Sequence, residues 1–267
     1  MSSPDQSLSL RLSMSRALAR IGLRASGVIV ALVAWQVVCE LGLANLDLVP
    51  SPIDVARAFV DLASSGVLFE DAAHTVGATL MGWGIAAVAG VVVGAVLGVS
   101  HVARAYASPA VDLFRTFPPI AFVPVALVAV GLSVRLEIVV IVAGCVWPIL
   151  IGTTDGVRGI SAEKHDLARV LRLGRLARIR KIVLPAALGG VMVGLRVGMG
   201  LALVLAVTAE MIGNPSGIGY AIVRAGESLH PDRLYAYIVT VGILGVALNV
   251  AVVALSERLV PQPRRRQ

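Results

Sequence analysis

Apolar residues in this chain fall in long unbroken runs, near residues 26–44, 74–99, 108–132, 136–155, 185–212 and 233–258, separated by short polar stretches. A half-buried strand would alternate apolar and polar positions, and a helix on a soluble core would show a single apolar stripe. Runs of this length instead match the roughly 20 apolar residues that carry a helix across the hydrocarbon of a bilayer. The pattern predicts an all-α membrane protein with six transmembrane helices. Its membrane domain spans residues 26–260, between a basic segment at 1–25 and a basic tail at 261–267.

Two of the runs carry small residues every fourth position. In the second these are Ala78, Gly82, Ala86, Gly90, Gly94 and Gly98; in the fifth, Ala186, Gly190, Gly194, Gly198, Ala202 and Ala206. Residues four apart share a helix face, and small ones there let two helix backbones approach closely in lipid. These two helices are therefore expected to be tightly packed, central elements. The third run reads FRTFPPIAFVP from Phe114 to Pro124. Pro118, Pro119 and Pro124 each remove a backbone donor, so a bend is expected there, with the bent helix forming a cavity wall.

Composition agrees with the membrane reading. Charged residues make up 15% of the chain and mean hydropathy is +0.88, whereas soluble domains carry about 25% charge. The formal charge of +7 invites a nucleic-acid reading, but the cations are placed as in a membrane protein with cytoplasmic termini. With the N-terminus inside, Arg11, Arg16, Arg20, Arg24, Arg104, Arg258, Arg264 to Arg266 and the eight cations of 156–185 fall on the inner side, 17 of 23 in all. The outer side receives Arg57, Arg135, Arg224 and Arg233 against eight acids, Asp47, Asp54, Asp61, Glu70, Asp71, Glu137, Glu227 and Asp232. That asymmetry is the positive-inside pattern. The first apolar run has no small-residue exit motif, so a retained span is expected rather than a cleaved leader. Cys39 and Cys145 stand alone in apolar runs, without the spacing of a disulfide framework or a zinc site.

The stretch GVRGISAEKHDLARVLRLGRLARIRKIVLP, 156–185, holds those eight cations and only two acids, Glu163 and Asp166. Leu167, Val170, Leu171, Leu173 and Leu176 make a short helical apolar stripe among the arginines. Gly174 interrupts it, and Pro185 suits the first turn of the fifth span. Such a segment is either an amphipathic helix resting on anionic lipid or a docking helix for a cytoplasmic partner.

Within it, DLARVLRLGRLARIRKIVLP resembles the EAA loop of the membrane subunits of ABC importers. Asp166 falls at the acidic position of that motif, Ala168 at its second alanine and Ile182 to Pro185 at its ending. The family glycine falls on Arg172, with Gly174 two residues late. Four further stretches, LVPSPIDV (48–55), FRTFPPIAFVP (114–124), LPAALGGVMVGLRVGMGLALVLAVTAEMIG (184–213) and SGIGYAI (216–222), resemble the sulfonate, nitrate and taurine branch of the family. The resemblance implies a type I ABC importer fold in a bacterial inner membrane, and a homodimer of permeases. It also implies two ATPase subunits carrying ATP and Mg, and a periplasmic or lipid-anchored solute-binding protein. The chain itself would bind no cofactor, catalyse no reaction and contact lipid rather than nucleic acid. It implies that Ser161, Asp166, Leu167, Ala168, Arg169, Arg172 and Gly174 dock the ATPase, and that the solute is a small anion such as a sulfonate, taurine, nitrate or bicarbonate, or a vitamin precursor. In agreement, no G-x-x-x-x-G-K-[ST] phosphate loop occurs, and the only lysines are Lys164 and Lys181. ATP-driven closure of the ATPases would rock the helices between two states that bind the docking loop differently.

Charges inside the runs are costly in lipid, about 2.5–3.5 kcal/mol for Arg at the centre. Arg196 lies eleven residues past Pro185, near mid-bilayer at about 1.5 Å per residue, and Arg115 lies inside the third run. Arg115, Pro119, Arg196 and Glu210 are the candidates for a solute path or gate. The structural alternative pairs the arginines with Asp112 or Asp155 and lets Glu210 cap the loop after the fifth span. His74, His101 and His165 have no metal-ligand neighbour in sequence and are read as surface residues, so no metal site is expected. An ion-gradient-driven secondary transporter is the alternative function. Against it, the runs lack a relay of carboxylates and an inverted repeat of broken helices. No cluster suited to a membrane enzyme is apparent.

Overall fold

The computed structural model describes residues 26–27, 29–41, 49–161, 163, 170–171, 174, 177 and 179–259. These residues form helices joined by short turns and loops, with no strand among them. In chain order the helices are α1 (Ile29–Glu40), α2 (Pro52–Ser64), α3 (Val67–Val99), α4 (His101–Thr116), α5 (Val123–Val130), α6 (Val134–Arg158), α7 (Leu184–Gly213), α8 (Ile218–Glu227) and α9 (Pro231–Leu259). A 3-10 turn at Pro119–Phe122 precedes α5, and a π turn at Ile179–Val183 leads into α7. Pro185 occupies the first turn of α7, as its missing N–H predicts.

The centre of the bundle is α6. Leu136, Val140, Ile141, Cys145 and Ile149 on it are all 0% exposed, with α3 on one side and α7 on the other. Both glycine stripes face this helix. A Cβ at Gly82 would lie 2.7 Å from Ile141, at Gly90 2.9 Å from Ile149, and at Gly98 2.6 Å from Val157. The pairing advances in step along both helices, so α3 and α6 run parallel. On the other side Gly190 and Gly194 of α7 meet Gly152 and Gly156 of α6, while Gly213 meets Leu136, so α7 runs antiparallel to α6. The stripes on α3 and α7 thus pack mainly on the helix between them, and the glycines of α6 that complete the contact escaped the sequence pattern. Close approach also lets backbone carbonyls accept from side chains across the interface: Thr154 Oγ1 donates to Gly94 O at 3.1 Å, Trp83 Nε1 to Leu195 O at 3.1 Å and Cys145 Sγ to Gly198 O at 3.2 Å.

Gly152 tests this packing. A Cβ there would lie 2.8 Å from Gly190 O and 2.9 Å from Gly194 Cα, both backbone atoms that cannot swing aside. Gly152→Val is therefore expected to cost about 1–3 kcal/mol of overpacking strain and to lower the unfolding midpoint in detergent. Gly189→Val, where nothing lies within 4 Å, is expected to leave that midpoint nearly unchanged.

Four helices are long and apolar enough to cross a membrane: Val67–Val99, Val134–Arg158, Pro231–Arg258, and α7 with part of its π turn, Arg180–Gly213. The expected third span is not one straight helix. α4 and the following Pro119–Val130 segment meet at 89°, because Pro118 and Pro119 stop the backbone ladder after Thr116 and Phe117 turns to extended geometry. Counted as one broken span, the pair brings the number to five among the described residues. α1 is shorter and packs at one end, with its Trp35 ring 6.0 Å from the Tyr235 ring of α9.

The ends of the bundle differ. α2 and α8 are short amphipathic helices that join α9 in a second apolar cluster around Val55, Ala58, Leu62, Ile218, Ala236 and Tyr237. The α2 stretch carries a helix-start signature: Ser51 is the N-cap and accepts from the Asp54 N–H at 3.3 Å, with Pro52 in the first turn.

Candidate functional site

The C-termini of α3 and α6 and the N-terminus of α7 meet at one end of the bundle. Cations gather there, as suits the negative ends of two helix dipoles. Arg104 Nη1 donates to the Leu97 and Gly98 carbonyls that close α3, at 3.0 and 3.4 Å, and Arg158 stands in the last turn of α6. Beyond it Ile160 tucks back at 7% exposure, while Ser161 and Gly174 are exposed. Val170 and Leu171 are 78% and 57% exposed, an apolar pair in a basic setting. Asp166, Leu167, Ala168, Arg169 and Arg172 lie outside the described residues. Arg180 and Lys181 are exposed on the π turn that enters α7.

Toward the middle of the bundle, the bent segment lies against α6. Pro119 fills the space over Gly144, where a Cβ would lie 3.0 Å from the Pro119 ring, and Phe114 stacks on Trp147 at 5.6 Å between ring centres. Arg115 pairs with Asp112 at 3.1 Å, one turn back on the same helix, with both side chains exposed. Arg196 differs: it is exposed on α7, its Nη2 donates to Ser256 Oγ on α9 at 3.4 Å, and among the described residues no carboxylate lies within ion-pair distance of it. Asp155 pairs with neither arginine.

The opposite end gathers the buried polar groups. Glu210 is 1% exposed near the end of α7, and its Oε2 accepts the Gly219 N–H at 2.7 Å. The loop from Asn214 to α8 folds over this carboxylate. Gly217 sits there at φ +89°, where a Cβ would strike the Glu210 carboxyl group, so only glycine fits by conformation and by space. Thr75 Oγ1 on α3 accepts the Ile218 N–H at 2.9 Å and fixes the start of α8. Of the roles open to Glu210 from sequence, capping of this loop is the one its contacts display.

His74 and Glu137 join the same end. Glu137, in the first turn of α6, is 0% exposed; its Oε1 lies 3.1 Å from His74 Nε2 and accepts from Asn214 Nδ2. Asn214 Nδ2 also lies 3.0 Å from His74 Nε2. His74 is therefore no surface histidine: its side chain is 28% exposed and held between two helices. A ligand atom from each of His74, Glu137 and Glu210 lies within 4.8 Å of the others. No sequence signal announced this cluster, since its members stand at 74, 137, 210 and 214. The one available hint was a charged residue placed at the very edge of each apolar run. Beside it opens a cavity of about 720 Å³, whose lining includes Asp61, Glu70, Asp71, His74, Arg224 and Arg233. Tyr237 OH donates to Asp71 Oδ2 there at 2.9 Å.

The sequence profile of the family described as binding-protein-dependent transport system inner membrane component matches residues 86–265. The chain is 32% identical over 237 residues to SsuC of Bacillus subtilis (strain 168), named as an aliphatic sulfonates transport permease, covering 89% of this chain and 85% of the relative. It is 31% identical to the nitrate import permease protein NrtB of Synechocystis, covering 90% of each chain. It is 30% identical to the bicarbonate transport system permease protein CmpB of Synechococcus elongatus, covering 84% of each. Among solved structures, an inward-facing form of the MetNI methionine ABC transporter shares the fold, at TM-score 0.62 and 20% identity over 70% of this chain and 94% of that one.

Proposed function

The chain belongs to the family of binding-protein-dependent transport system inner membrane components, multi-pass permeases of the inner membrane, and from that premise we propose how it works. Two copies form the translocation path of an ATP-driven importer, with two ATPase subunits on the side of the basic loop and a solute-binding protein on the other. ATP and Mg are bound by the ATPases, and this chain catalyses nothing. Six spans with both termini cytoplasmic, α1 being the first and the bent α4–α5 pair the third, place every basic terminus on the ATPase side.

The observation that carries this reading is the stretch between α6 and α7, basic in sequence, whose described residues Ser161, Glu163, Val170, Leu171, Gly174, Arg180 and Lys181 are exposed. It leaves two helices of the rigid three-helix core at one end, so a push on it moves the core itself. Its Val170 and Leu171 stand in solvent, apolar surface of the kind that a partner covers. The solute is proposed to be a small anion, as the names of the three relatives are. Arg196 is the side chain best placed to meet it, because among the described residues no acid pairs with its charge. A charged side chain facing hydrocarbon is costly, so the α7 face that exposes Arg196 is expected to line a wet path or the second copy.

The experiment is gentle-detergent purification of the tagged chain from its own host, with mass spectrometry of what accompanies it. An ATPase in equal amount supports the proposal. A chain that emerges alone, from a host with no ATPase encoded beside it, sinks it.

A further inference from the structure

The buried cluster at the end opposite the basic loop has an imbalance that its protein contacts leave unresolved. Glu137 and Glu210 are 0% and 1% exposed, and each keeps one oxygen, Glu137 Oε2 and Glu210 Oε1, without a hydrogen-bond partner. A buried, unpaired carboxylate is among the costliest groups a fold can hold. Among the described residues the basic side chain in contact is the His74 imidazole, and neither glutamate has an arginine within ion-pair distance. His74 is itself in conflict. Its Nε2 faces the Glu137 carboxylate at 3.1 Å and the Asn214 amide at 3.0 Å, and one ring nitrogen cannot donate to the first while accepting from the second.

We propose that His74, Glu137 and Glu210 bind a divalent first-row transition metal ion, of the zinc class, that ties together α3, α6 and α7. A cation among the three ligand atoms, which lie within 4.8 Å of one another, neutralises both carboxylates and turns the Nε2 lone pair from a liability into a bond. One imidazole with two carboxylates is a borderline donor set that suits zinc better than the all-oxygen cages preferred by calcium or magnesium. Three protein ligands leave an open position for water. The Asn214 amide, bonded to Glu137, plays the outer-shell part of fixing that carboxylate's orientation. The neighbouring cavity supplies an entrance: His74 lines it together with four acids, Asp61, Glu70, Asp71 and Asp232, and two arginines, Arg224 and Arg233, a lining whose acids outnumber its arginines and so favours cations. Since Glu210 also holds the loop onto α8 through Gly219, metal binding would stiffen the end of the core and that loop together.

The test uses the full-length chain purified in detergent with whatever subunits accompany it, stripped by a chelator and titrated with cobalt(II) chloride and then zinc chloride. The expected result is a visible cobalt absorption band saturating at about one equivalent per chain, as three convergent ligands imply, and displaced by zinc. Zinc is expected to raise the unfolding midpoint, as a ligand of the native state does. His74→Gln and Glu137→Gln are each expected to weaken cobalt binding at least ~10-fold, the least that disturbing a metal's ligand shell costs, and to remove the zinc effect on unfolding. Absence of a cobalt band in the parent chain overturns the proposal, as does an unfolding midpoint indifferent to zinc and chelator. A band that persists undiminished in both folded variants also overturns it, by placing the metal elsewhere. Should a variant fail to fold, the band and the zinc response of the parent chain decide.

Discussion

Replacing Asp166 and Ala168 together by tryptophan is expected to strip the ATPase from the purified chain and to abolish ATP-driven uptake. By the resemblance to the EAA loop these two positions fall at its acidic and second-alanine positions, and in the proposed docking a small residue there lets the segment seat in a cleft of the ATPase. Interfaces concentrate their energy in a few buried central contacts, each worth about 2 kcal/mol or more. Two indole rings forced into such a cleft leave no room for those contacts. The core should stay intact, because the glycine seams of α3, α6 and α7 lie elsewhere. A chain that keeps its helical signal but elutes later, as the smaller particle without the ATPase, is the expected pattern. Retention of the ATPase in equal amount would return the basic segment to a lipid-facing helix. The companion substitution Arg172→Gly restores the motif's glycine; an unchanged ratio of transport to ATP hydrolysis in that variant would show that the arginine does not alter coupling.

Arg196→Gln is expected to lower anion uptake about 10- to 100-fold while leaving ATPase association unchanged. A hydrogen bond to a charged group contributes about 1.5–3 kcal/mol, and each 1.4 kcal/mol is tenfold in rate or affinity. Arg196 can deliver such a contact because among the described residues its side-chain partner is the Ser256 hydroxyl at 3.4 Å, a weak one. Arg115→Gln supplies the contrast. Its guanidinium already faces Asp112 at 3.1 Å, with side chains 53% and 63% exposed, and exposed pairs of this kind contribute about 0–1 kcal/mol. Uptake in that variant should fall little. Equal losses in the two variants would show that overall positive charge, and not Arg196 in particular, matters to the solute.

Much of the membrane architecture could be read from the chain because lipid imposes a one-dimensional rule. Every backbone group must be satisfied within the segment, so a long apolar run can only be a helix. That rule locates α6, α7 and α9 within about three residues of the apolar runs, and α3 at its C-terminal end, with about two extra turns at its start. The bend at Pro118 and Pro119 followed from their missing donors, but its size, 89°, did not. Prolines remove bonds, and what packs against the freed segment, here Gly144 under Pro119, decides where it goes. The helices α2 and α8 escaped the apolar reading because they are amphipathic and short, although Ser51 and Pro52 mark the start of α2 in local chemistry alone.

The sequence by itself determined that the chain is a helical membrane protein, which of its segments are long and apolar enough to cross a bilayer, and through its motifs which family it joins. Those properties follow from hydropathy and local spacing, which the order of residues contains. Only the tertiary structure decided that α6 stands between the two glycine-striped helices, that among the described residues Arg115 is paired with an acid while Arg196 is not, and that His74, Glu137, Glu210 and Asn214 converge. Those facts depend on which helix faces which and in what register. A run of apolar residues says little about its own azimuth when nearly every face of it is apolar.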